Sequence, residues 1–536
     1  MTAEAVDVLV VGAGPTGLAL AAQLLAFGAS VRIIDRRPTP VRESRALIIQ
    51  PRTLEMLRPI GVTPALIARG ETTASARLHL DGRAVTVAMH DAGLVDTPYP
   101  FLLVLRQAQT EAVLRDHLRD RALAVEWSTE FLSRRAGPAG LVAVVRHADG
   151  THEPVDARYV AGCDGAGSTV RRDVGIEFVG AAYDQSVLLA DVAIDAELSA
   201  EPVHAFVSPH GGLVLFAGGE HAPWRVILIR GRRSRDAGSL DADGLRALVT
   251  TLTASRVDVR TVAWMSDIPQ QHRLADTFRS GRVVLAGDAA HVHSPAGARG
   301  MNTGIQDACN LGWKLGLVAR AVGDEQLLDT YDAERRPAAR ISLLLTHLLF
   351  FGEAADHPML ERSRAALAPL VVPAAVRLPQ LRRLALRTIG QLGGGYPRGA
   401  LAIEGRPTLR RGPRAGSRMP DAPLYRDGTA CRLHDVLAAP RFHLALCGPP
   451  QIWSPTQVSR TRQRFDGLVD VHEVSAEPVT RALHDLDGAL LPQLGARPAA
   501  QYLVRPDGHI AYRSSDTDLG PVTRHLARWL PGAAES

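Results

Sequence analysis

Three glycine-rich segments each follow an apolar run and are accompanied by an aspartate, a combination suited to nucleotide binding. The first has the spacing Gly12-x-Gly14-x-x-Gly17, follows the run VDVLVV and opens a predicted helix. Glycines at this spacing permit a tight turn, close approach of a pyrophosphate and close packing of helix on strand. Asp35 ends the next predicted strand, 18 residues after Gly17, where a carboxylate can accept hydrogen bonds from an adenosine ribose. The complete pattern predicts a bound dinucleotide and leaves open whether it is NAD or FAD.

The other two segments place an aspartate directly after a predicted strand. Asp164 lies in GCDGAGSTVR, and Asp288 lies in VLAGDAAH. A carboxylate is a strong acceptor for a hydroxyl group, and the end of a strand fixes its position. A helix N-cap is the alternative role for Asp288. That role explains less of the motif, because the glycine-rich pattern continues through PAGARGMNTG. We interpret Asp288 as a carboxylate that meets a polar group at the end of its strand.

The predicted elements around these residues fall into two kinds. The first 35 residues form a βαβ pattern, and its nearly continuous apolar strands indicate a parallel sheet covered on both faces. Short alternating runs around 74–89 and 176–268 predict antiparallel strands, inserted between parts of the first domain. From 332 to about 392 the pattern is helical, with breaks predicted at Pro337, Pro369 and Pro373.

Composition excludes several classes of protein. The 536-residue chain has a net charge of +5, and its basic residues are scattered arginines with one lysine, Lys314, so we predict no nucleic-acid binding. The four cysteines form no CxxC pair, which predicts neither a disulfide framework nor a zinc site. The N terminus lacks a basic region before its apolar run, and the run 341–351 is shorter than the roughly 20 residues of a membrane span. We therefore predict a cytoplasmic protein without membrane contact.

In their order, the GxGxxG, DG and GD motifs resemble those of the single-component, class A FAD-dependent aromatic hydroxylases, of the p-hydroxybenzoate and phenol hydroxylase type. The segments SRALIIQPRTLEML, RQAQTE and YDAERRP strengthen the resemblance, which runs through about the first 340 residues. It implies an α/β fold: a Rossmann-like FAD-binding domain with an inserted antiparallel-sheet substrate domain and a C-terminal thioredoxin-like domain.

The resemblance also implies roles for individual residues. Asp288 matches the aspartate that binds the ribityl hydroxyls of FAD, and Arg45 matches an arginine near the pyrophosphate. Gln107 matches a glutamine that touches the cofactor, and Asp164 matches an aspartate linked to both FAD and NAD(P)H. The helix opening near Asn302 would direct N–H groups at flavin N1 and O2. The expected FAD contacts are Gly12, Gly14, Pro15, Thr16, Gly17, Asp35, Arg36, Arg45, Gln107, Asp164, Asp288, Pro295, Gly297, Ala298, Arg299, Gly300, Met301 and Asn302.

One short segment departs from the family pattern. The family commonly has Gly-Gly-Gln-Gly where this chain reads Gly297-Ala298-Arg299-Gly300. Ala298 adds a Cβ where the backbone is expected to approach the flavin closely. Arg299 adds a charge that could stabilise reduced flavin or bind an anionic substrate.

The predicted domain boundaries follow from these patterns. The FAD-binding domain comprises 1–73, 101–175 and 276–340; the substrate domain comprises 74–100 and 176–275; a helical segment covers 341–403, a linker 404–423 and a thioredoxin-like domain without CxxC 424–536.

The resemblance implies a monooxygenase that consumes NADPH or NADH and O2 and acts through a C4a-hydroperoxyflavin. No second GxGxxG follows a predicted strand, so the nicotinamide cofactor is expected to bind transiently. The C-terminal domain resembles the tail of the phenol and polyketide hydroxylase branch, and this resemblance implies a bulky aromatic substrate of polyketide type. No catalytic base and no metal ligand is identified. Candidate substrate-pocket residues are Tyr183, His210, Trp224, Arg225, Trp264, Gln270 and His272.

Alternative functions remain open at this point. A Baeyer–Villiger oxygenase or an antibiotic-inactivating monooxygenase would use the same scaffold, and a non-catalytic flavin- or ligand-binding protein is a reading from another class. A tryptophan-type halogenase is disfavoured because the WxWxIP signature is absent. The partner is predicted to be a small-molecule aromatic substrate, and the protein a monomer or homodimer.

Overall fold

The computed structural model describes residues 5–40, 46–73, 75–80, 83–88, 93–138, 140–199, 201–208, 211–219, 221–230, 240–293, 298–354, 378–477 and 482–534. Its strands are β1 (Val6–Val11), β2 (Val31–Asp35), β3 (Ile48–Ile49), β4 (Glu71–Thr73), β5 (Ser75–Leu80), β6 (Arg83–Ala88), β7 (Leu102–Val104), β8 (Val125–Trp127), β9 (Glu130–Gly137), β10 (Gly140–Arg146), β11 (His152–Gly162), β12 (Phe178–Asp195), β13 (Val203–Ser208), β14 (Gly211–Ala217), β15 (Trp224–Arg230), β16 (Asp258–Ala275), β17 (Arg279–Ser280), β18 (Val283–Leu285), β19 (His291–Val292), β20 (Ile403–Glu404), β21 (Pro423–Arg426), β22 (Thr429–Arg432), β23 (Phe442–Cys447), β24 (Val469–Ser475), β25 (Leu483–His484), β26 (Ala500–Val504) and β27 (Ile510–Ser514).

Its α-helices are α1 (Pro15–Ala26), α2 (Pro51–Leu57), α3 (Thr63–Arg69), α4 (Gln107–Arg119), α5 (Thr169–Asp173), α6 (Ala242–Leu252), α7 (Gly300–Ala319), α8 (Gln326–Ala354), α9 (Pro379–Ile389), α10 (Leu433–Val436), α11 (Pro455–Arg464), α12 (Leu490–Leu494) and α13 (Gly520–Trp529). The α/β class predicted from the sequence is confirmed. Among the described residues, no helix is both long enough and apolar enough to span a membrane.

The first sheet has the order β17-β18-β11-β1-β2-β8, with β9 and β10 joined to β11. β1 pairs in parallel with β11 on one side and β2 on the other, so that Val8 faces both Tyr159 and Val31. Val8, Leu9 and Val10 are fully buried, as expected for a parallel strand that is covered on both faces. The carboxyl ends of β1, β2, β11 and β18 consequently meet at one edge of this sheet.

The second sheet, of order β19-β16-β12-β15-β14-β13-β5-β6, is antiparallel except for the β13–β5 pair. Its two faces differ because side chains alternate along each strand. On β12, Leu188 and Ala190 pack in the core that includes Leu245 of α6. Val187 and Leu189 point to the opposite face. That second face is turned toward the edge of the first sheet.

The third sheet, of order β20-β27-β26-β23-β24-β25-β21-β22, forms the C-terminal part of the fold. The segment 404–423, predicted as a linker, is instead packed against this sheet. Glu404 lies in β20, which pairs with β27, and its carboxylate accepts a hydrogen bond from Arg513 at 2.7 Å. Met419 is fully buried. Of the five arginines in 404–423, Arg418 is buried and pairs with Glu55 and Asp96, whereas the other four are exposed.

The break predicted at Pro337 does not occur, because Pro337 lies inside α8. The residues before it are held by buried contacts: Tyr331 donates a hydrogen bond to the Leu285 carbonyl at 2.8 Å, and Glu334 and Arg335 are both buried in ion pairs. Tertiary contacts therefore sustain the helix through a residue that lacks an N–H. Pro369 and Pro373 lie outside the described residues.

Buried ion pairs join the C-terminal sheet to the first domain. Arg505 donates to both oxygens of Glu334, at 2.6 and 2.9 Å, and Lys314 donates to Glu334 at 2.7 Å. Arg418 pairs with Glu55 at 2.8 Å. Burial alone would raise the pKa of Glu334, but Arg505 and Lys314 lower it to about 2. We call Lys314, Glu334, Arg505, Glu55 and Arg418 the interdomain ion network.

We predict that Glu334→Gln greatly lowers the free energy of unfolding, because Glu334 belongs to the interdomain ion network. Removing one partner of a buried ion pair leaves the other charge uncompensated and costs about 3–5 kcal/mol. Because the pKa of Glu334 is depressed, its contribution is complete above the ordinary carboxyl pKa and is lost as the pH falls toward about 2. Urea unfolding at pH 7 should show the loss, and the wild-type and variant stabilities should converge in acid.

The matched control is Asp116→Asn, which breaks the exposed pair with Arg69 at 2.9 Å. An exposed pair contributes about 0–1 kcal/mol, so this variant should stay close to the wild type. Equal losses for the two variants would contradict the assignment of the network as a main contributor to stability.

Candidate active site

The glycine turn between β1 and α1 leaves room for a phosphate group at one of its three glycines. A Cβ on Gly12, whose φ is +104°, would lie 2.4 Å from the Cys163 carbonyl oxygen, and a Cβ on Gly17 would lie 1.9 Å from the Gly12 carbonyl oxygen. These two glycines allow strand, turn and helix to pack closely. Among the described residues, nothing lies within 4 Å of a Cβ placed on Gly14, and no side chain caps the N terminus of α1. The free space and this uncapped helix N terminus fit a pyrophosphate.

Asp35 fixes this turn from the neighbouring strand. Its carboxylate accepts hydrogen bonds from the Ala13 amide at 2.7 Å and from the Arg37 amide and side chain at 2.7–2.9 Å. Burial raises the pKa of Asp35, but these hydrogen bonds outweigh it and leave the pKa below its usual value. A charged acceptor is thus held at the end of β2, where an adenosine ribose is expected.

Asp164 occupies the corresponding position after β11. Its Oδ2 accepts hydrogen bonds from the amides of Thr169 and Val170, at 2.7 and 3.2 Å. Its Oδ1 is buried and has no hydrogen-bond partner within the described part of the chain. A buried acceptor without a partner is costly. The atom therefore fits a ligand hydroxyl or amide.

Asp288 lies in a single 3-10 turn, Gly287–Ala289, and is exposed to the space between the two sheets. The turn is held by Asp307, which is fully buried and accepts hydrogen bonds from the Gly287 amide at 3.1 Å, His291 at 2.6 Å and Arg335 at 2.7 Å. Burial raises the pKa of Asp307, but His291 and Arg335 bring it below its usual value. Asp307 was not identified from the sequence, although it lies in the same glycine-rich segment.

The segment that departs from the family pattern leads into α7. Ala298 has a φ of +52°, a conformation that favours glycine. Arg299 is buried and donates a hydrogen bond to the Thr388 carbonyl, and burial lowers its pKa. Asn302 donates to the Ile48 and Ala298 carbonyls and accepts from the Gln50 amide, so its side chain joins the loop after β3 to the start of α7.

A cavity of about 650 Å³ connects these groups. We call it the central cleft. Of the residues predicted to contact FAD, those lining it are Gly12, Gly14, Pro15, Thr16, Asp35, Arg36, Gln107, Asp164, Asp288, Ala298, Arg299, Gly300 and Met301. Gly17 and Asn302 lie behind this surface and support it. Arg45, Pro295 and Gly297 lie outside the described residues.

Several residues of the central cleft were missed by sequence reasoning. They are Arg37, Ala46, Leu47, Ile48, Thr129, Glu130, Phe131, Cys163 and His293. Thr129 to Phe131 reach the cleft because β8 pairs with β2, at Asp35↔Trp127. That pairing joins residues about 90 positions apart, so no local pattern indicated it. Arg171 was also missed; it donates to the Ala289 carbonyl at 2.7 Å and so connects the two aspartate-containing loops.

The far end of the central cleft is apolar. Its wall is the inward face of the second sheet, with Val187, Leu189, Phe216, Ile227 and Ile268, and with Gln270 as its polar member. Tyr183 packs in the same cluster as Val187 and Leu189. The hydroxyl oxygen of Tyr183 lies 2.9 Å from Nδ1 of His347. An apolar wall beside a polar cofactor site can hold an aromatic ring and keep water away from it.

The other substrate-pocket candidates lie elsewhere. Arg225 does not line the central cleft: it is 1% exposed and pairs with Asp191, from Nη2 to Oδ2 at 2.9 Å. This burial and this ion pair indicate that Arg225 stabilises the second sheet. The sequence-based expectation that Arg225 lines the substrate pocket is thereby corrected. Trp224 packs against the core on the opposite face of the sheet, and Trp264 and His272 contact the Tyr183 cluster. His210 lies outside the described residues.

Comparisons with known proteins agree with this geometry. Residues 5–343 match the family described as FAD binding domain, and residues 412–533 match the family described as aromatic-ring hydroxylase, C-terminal. The chain is 35% identical to the 6-methylpretetramide 4-monooxygenase of Streptomyces rimosus, over 100% of this chain and 96% of the relative.

Two solved structures are similar over their full length. The anhydrotetracycline hydroxylase OxyS from Streptomyces rimosus has a TM-score of 0.77 at 28% identity and covers 98% of this chain and 99% of its own. Aklavinone-11 hydroxylase, solved in a ternary complex with FAD and aklavinone, has a TM-score of 0.79 at 25% identity and covers 100% of both chains.

Asp288→Ala is predicted to weaken FAD binding while keeping the fold. A hydrogen bond donated to a charged group contributes about 1.5–3 kcal/mol, so the affinity should fall roughly 10- to 100-fold. The flavin-to-protein absorbance ratio after purification, and titration of the apoprotein with FAD, measure this loss. Asp466→Ala removes an exposed carboxylate far from the central cleft and serves as control. Normal flavin content in Asp288→Ala would contradict its role at the ribityl chain.

Ala298 yields a second prediction, because its positive φ penalises branched side chains. Ala298→Gly should fold and bind FAD like the wild type, whereas Ala298→Val should lose stability by about 1–3 kcal/mol and bind FAD more weakly. The control is Ala122→Val, at an exposed turn with φ +58° outside the central cleft. It should lose stability without losing FAD affinity. Equal FAD affinity in Ala298→Val and the wild type would contradict close contact between this segment and the flavin.

Proposed function

The chain belongs to the FAD-dependent aromatic-ring hydroxylases, and we propose that it uses NADPH or NADH to insert one oxygen atom of O2 into a polycyclic aromatic substrate of polyketide type. The observation that carries the proposal is the continuity of the central cleft. Asp35, Asp164 and Asp288 lie at its polar end, and the apolar face of the second sheet lies at the other. A cofactor bound at the first end would meet a planar apolar substrate at the second.

FAD, when bound, supplies the two-electron chemistry that activates O2. The protein's own residues would position it. Asp288 and Asp164 offer acceptors for its hydroxyl and amide groups, and the Gly12–Gly14 turn accommodates its pyrophosphate. The N terminus of α7, which no side chain of the described residues caps, would place positive potential near the pyrimidine edge of the flavin.

The apolar wall would have two functions. Val187, Leu189 and Ile227 would exclude water from the reaction space, so that activated oxygen reacts with the substrate rather than being lost as hydrogen peroxide. Gln270, which is 8% exposed and donates to the Ile268 carbonyl at 2.7 Å, would present its amide oxygen to a substrate hydroxyl group. Tyr183 and His347 lie beside this wall and are candidates for moving a phenolic proton.

The substrate class is supported by two relatives. The 6-methylpretetramide 4-monooxygenase shares the whole length of the chain, and aklavinone-11 hydroxylase, solved with aklavinone, shares its architecture. Both relatives are hydroxylating enzymes of aromatic polyketide type, and such substrates suit a cleft with a broad apolar wall. We therefore place the substrate among polycyclic phenols and quinones rather than single-ring phenols.

The test measures NADPH oxidation and oxygen incorporation together. Purified holoprotein is incubated with NADPH, 18O2 and a panel of polycyclic phenols and ketones, with p-hydroxybenzoate as the single-ring control. We expect a polycyclic substrate to accelerate NADPH oxidation at least tenfold and to gain one labelled oxygen atom. Asp288→Ala, loaded with excess FAD, controls for adventitious flavin chemistry.

The outcomes separate the candidate functions. A product with a new hydroxyl group indicates hydroxylation, and a product with an enlarged lactone ring indicates Baeyer–Villiger oxidation. Bound flavin that NADPH and NADH cannot reduce in the presence of any panel member would contradict the proposal and favour a non-catalytic ligand-binding protein.

A further inference from the structure

Three metal-ligating side chains meet on one face of the C-terminal sheet. Strands β23 and β24 pair in parallel, with His443 opposite Asp470 and Ala445 opposite His472. Asp470 and His472 are two positions apart, so their side chains point to the same face of β24. The parallel register places His443 beside both of them. The cluster thus arises from two strands that are distant in sequence.

The distances within the cluster are those of a metal site. His443 Nδ1 lies 3.1 Å from His472 Nε2 and 3.9 Å from Asp470 Oδ2. All three ligand atoms lie within 4.8 Å of one another. Two nitrogens bound to a tetrahedral zinc ion lie about 3.3 Å apart. Asp470 Oδ2, at 3.9 Å from His443 Nδ1 on a half-exposed side chain, would have to move closer to reach the same separation.

Neighbouring groups hold the ligands in a binding orientation. His443 Nε2 lies 3.1 Å from the Ala439 carbonyl oxygen and donates its proton there, which leaves the Nδ1 lone pair directed into the cluster. A hydrogen bond from the second ring nitrogen to a carbonyl is the usual support for a metal-binding histidine. Arg441 lies 3.3 Å from Asp470 Oδ1, so that Oδ2 remains on the side of the histidines.

The cluster is open to solvent on one side. His443 is buried, whereas Asp470 and His472 are half-buried. An ion can therefore reach the cluster from solvent on the β24 side.

We propose that His443, Asp470 and His472 bind a divalent transition-metal ion of the zinc type, with water completing its coordination. Two imidazoles and a carboxylate suit Zn²⁺, which accepts nitrogen and oxygen ligands in tetrahedral geometry. The bound ion would connect β23 to β24 and stabilise the C-terminal domain. The sequence-based expectation of no metal rested on cysteine spacing and did not consider these three residues together. The proposed metal site does not depend on the proposed oxygenase function.

The first test is calorimetric titration of untagged, chelator-treated holoprotein with Zn²⁺. We expect one saturable site per chain in the wild type, and at least a tenfold loss of affinity in both His472→Gln and Asp470→Asn. His152→Gln, which removes an exposed histidine outside the cluster, is the matched control and should bind like the wild type. The half-buried positions of Asp470 and His472 favour folded variants, which circular dichroism checks.

A spectroscopic readout identifies the ligands. Cu²⁺ bound at this site should show hyperfine coupling to two nitrogens by electron paramagnetic resonance, and coupling to one in His472→Gln. Zn²⁺ should raise the melting temperature of the wild type but not of His472→Gln. If the two histidines form only a hydrogen bond, the wild type will show no saturable Zn²⁺ binding. That result, or equal binding by wild type and His472→Gln, overturns the proposal.

Discussion

Parallel strand pairing is the constraint on which the rest of this structure depends. Because β1, β2, β11 and β18 run in one direction, their carboxyl ends form a single edge. Asp35, Asp164 and Asp288 follow three of these strands and therefore face one cleft, although they are separated by more than 120 positions in the chain. The apolar face of the second sheet, which carries Val187 and Leu189, lies across the central cleft from this edge.

The GD turn and the C-terminal domain are connected through two neighbouring residues of α8. Arg335 binds Asp307, which in turn holds the Gly287 amide, whereas Glu334 binds Arg505 of the C-terminal sheet. Both ion pairs are buried, and both would be costly to break singly. The C-terminal domain supplies no residue to the lining of the central cleft within the described chain. Its docking is nevertheless connected to the position of Asp288 through these two residues of α8.

The side chains of the C-terminal domain indicate a structural role rather than a redox role. Its cysteines, Cys431 and Cys447, are free, and burial raises the pKa of Cys447 to about 12, so it carries no reactive thiolate at neutral pH. Arg505 instead pairs with Glu334 of the first domain, and His443, Asp470 and His472 form the proposed metal cluster. The ion pair joins this domain to the first domain, and an ion bound at the cluster would join β23 to β24.

The sequence by itself determined the features that depend on neighbouring residues. The glycine turn, the strand ends at Asp35, Asp164 and Asp288, and the change from helical to alternating patterns are local, and their order was sufficient to identify the family. Only the tertiary structure decided which distant groups meet: Asp307 with His291 and Arg335, Glu334 with Arg505, Arg225 with Asp191, and His443 with Asp470 and His472. These pairings follow from strand register and domain docking, which are set by the summed packing of many side chains and leave no signature at any one position.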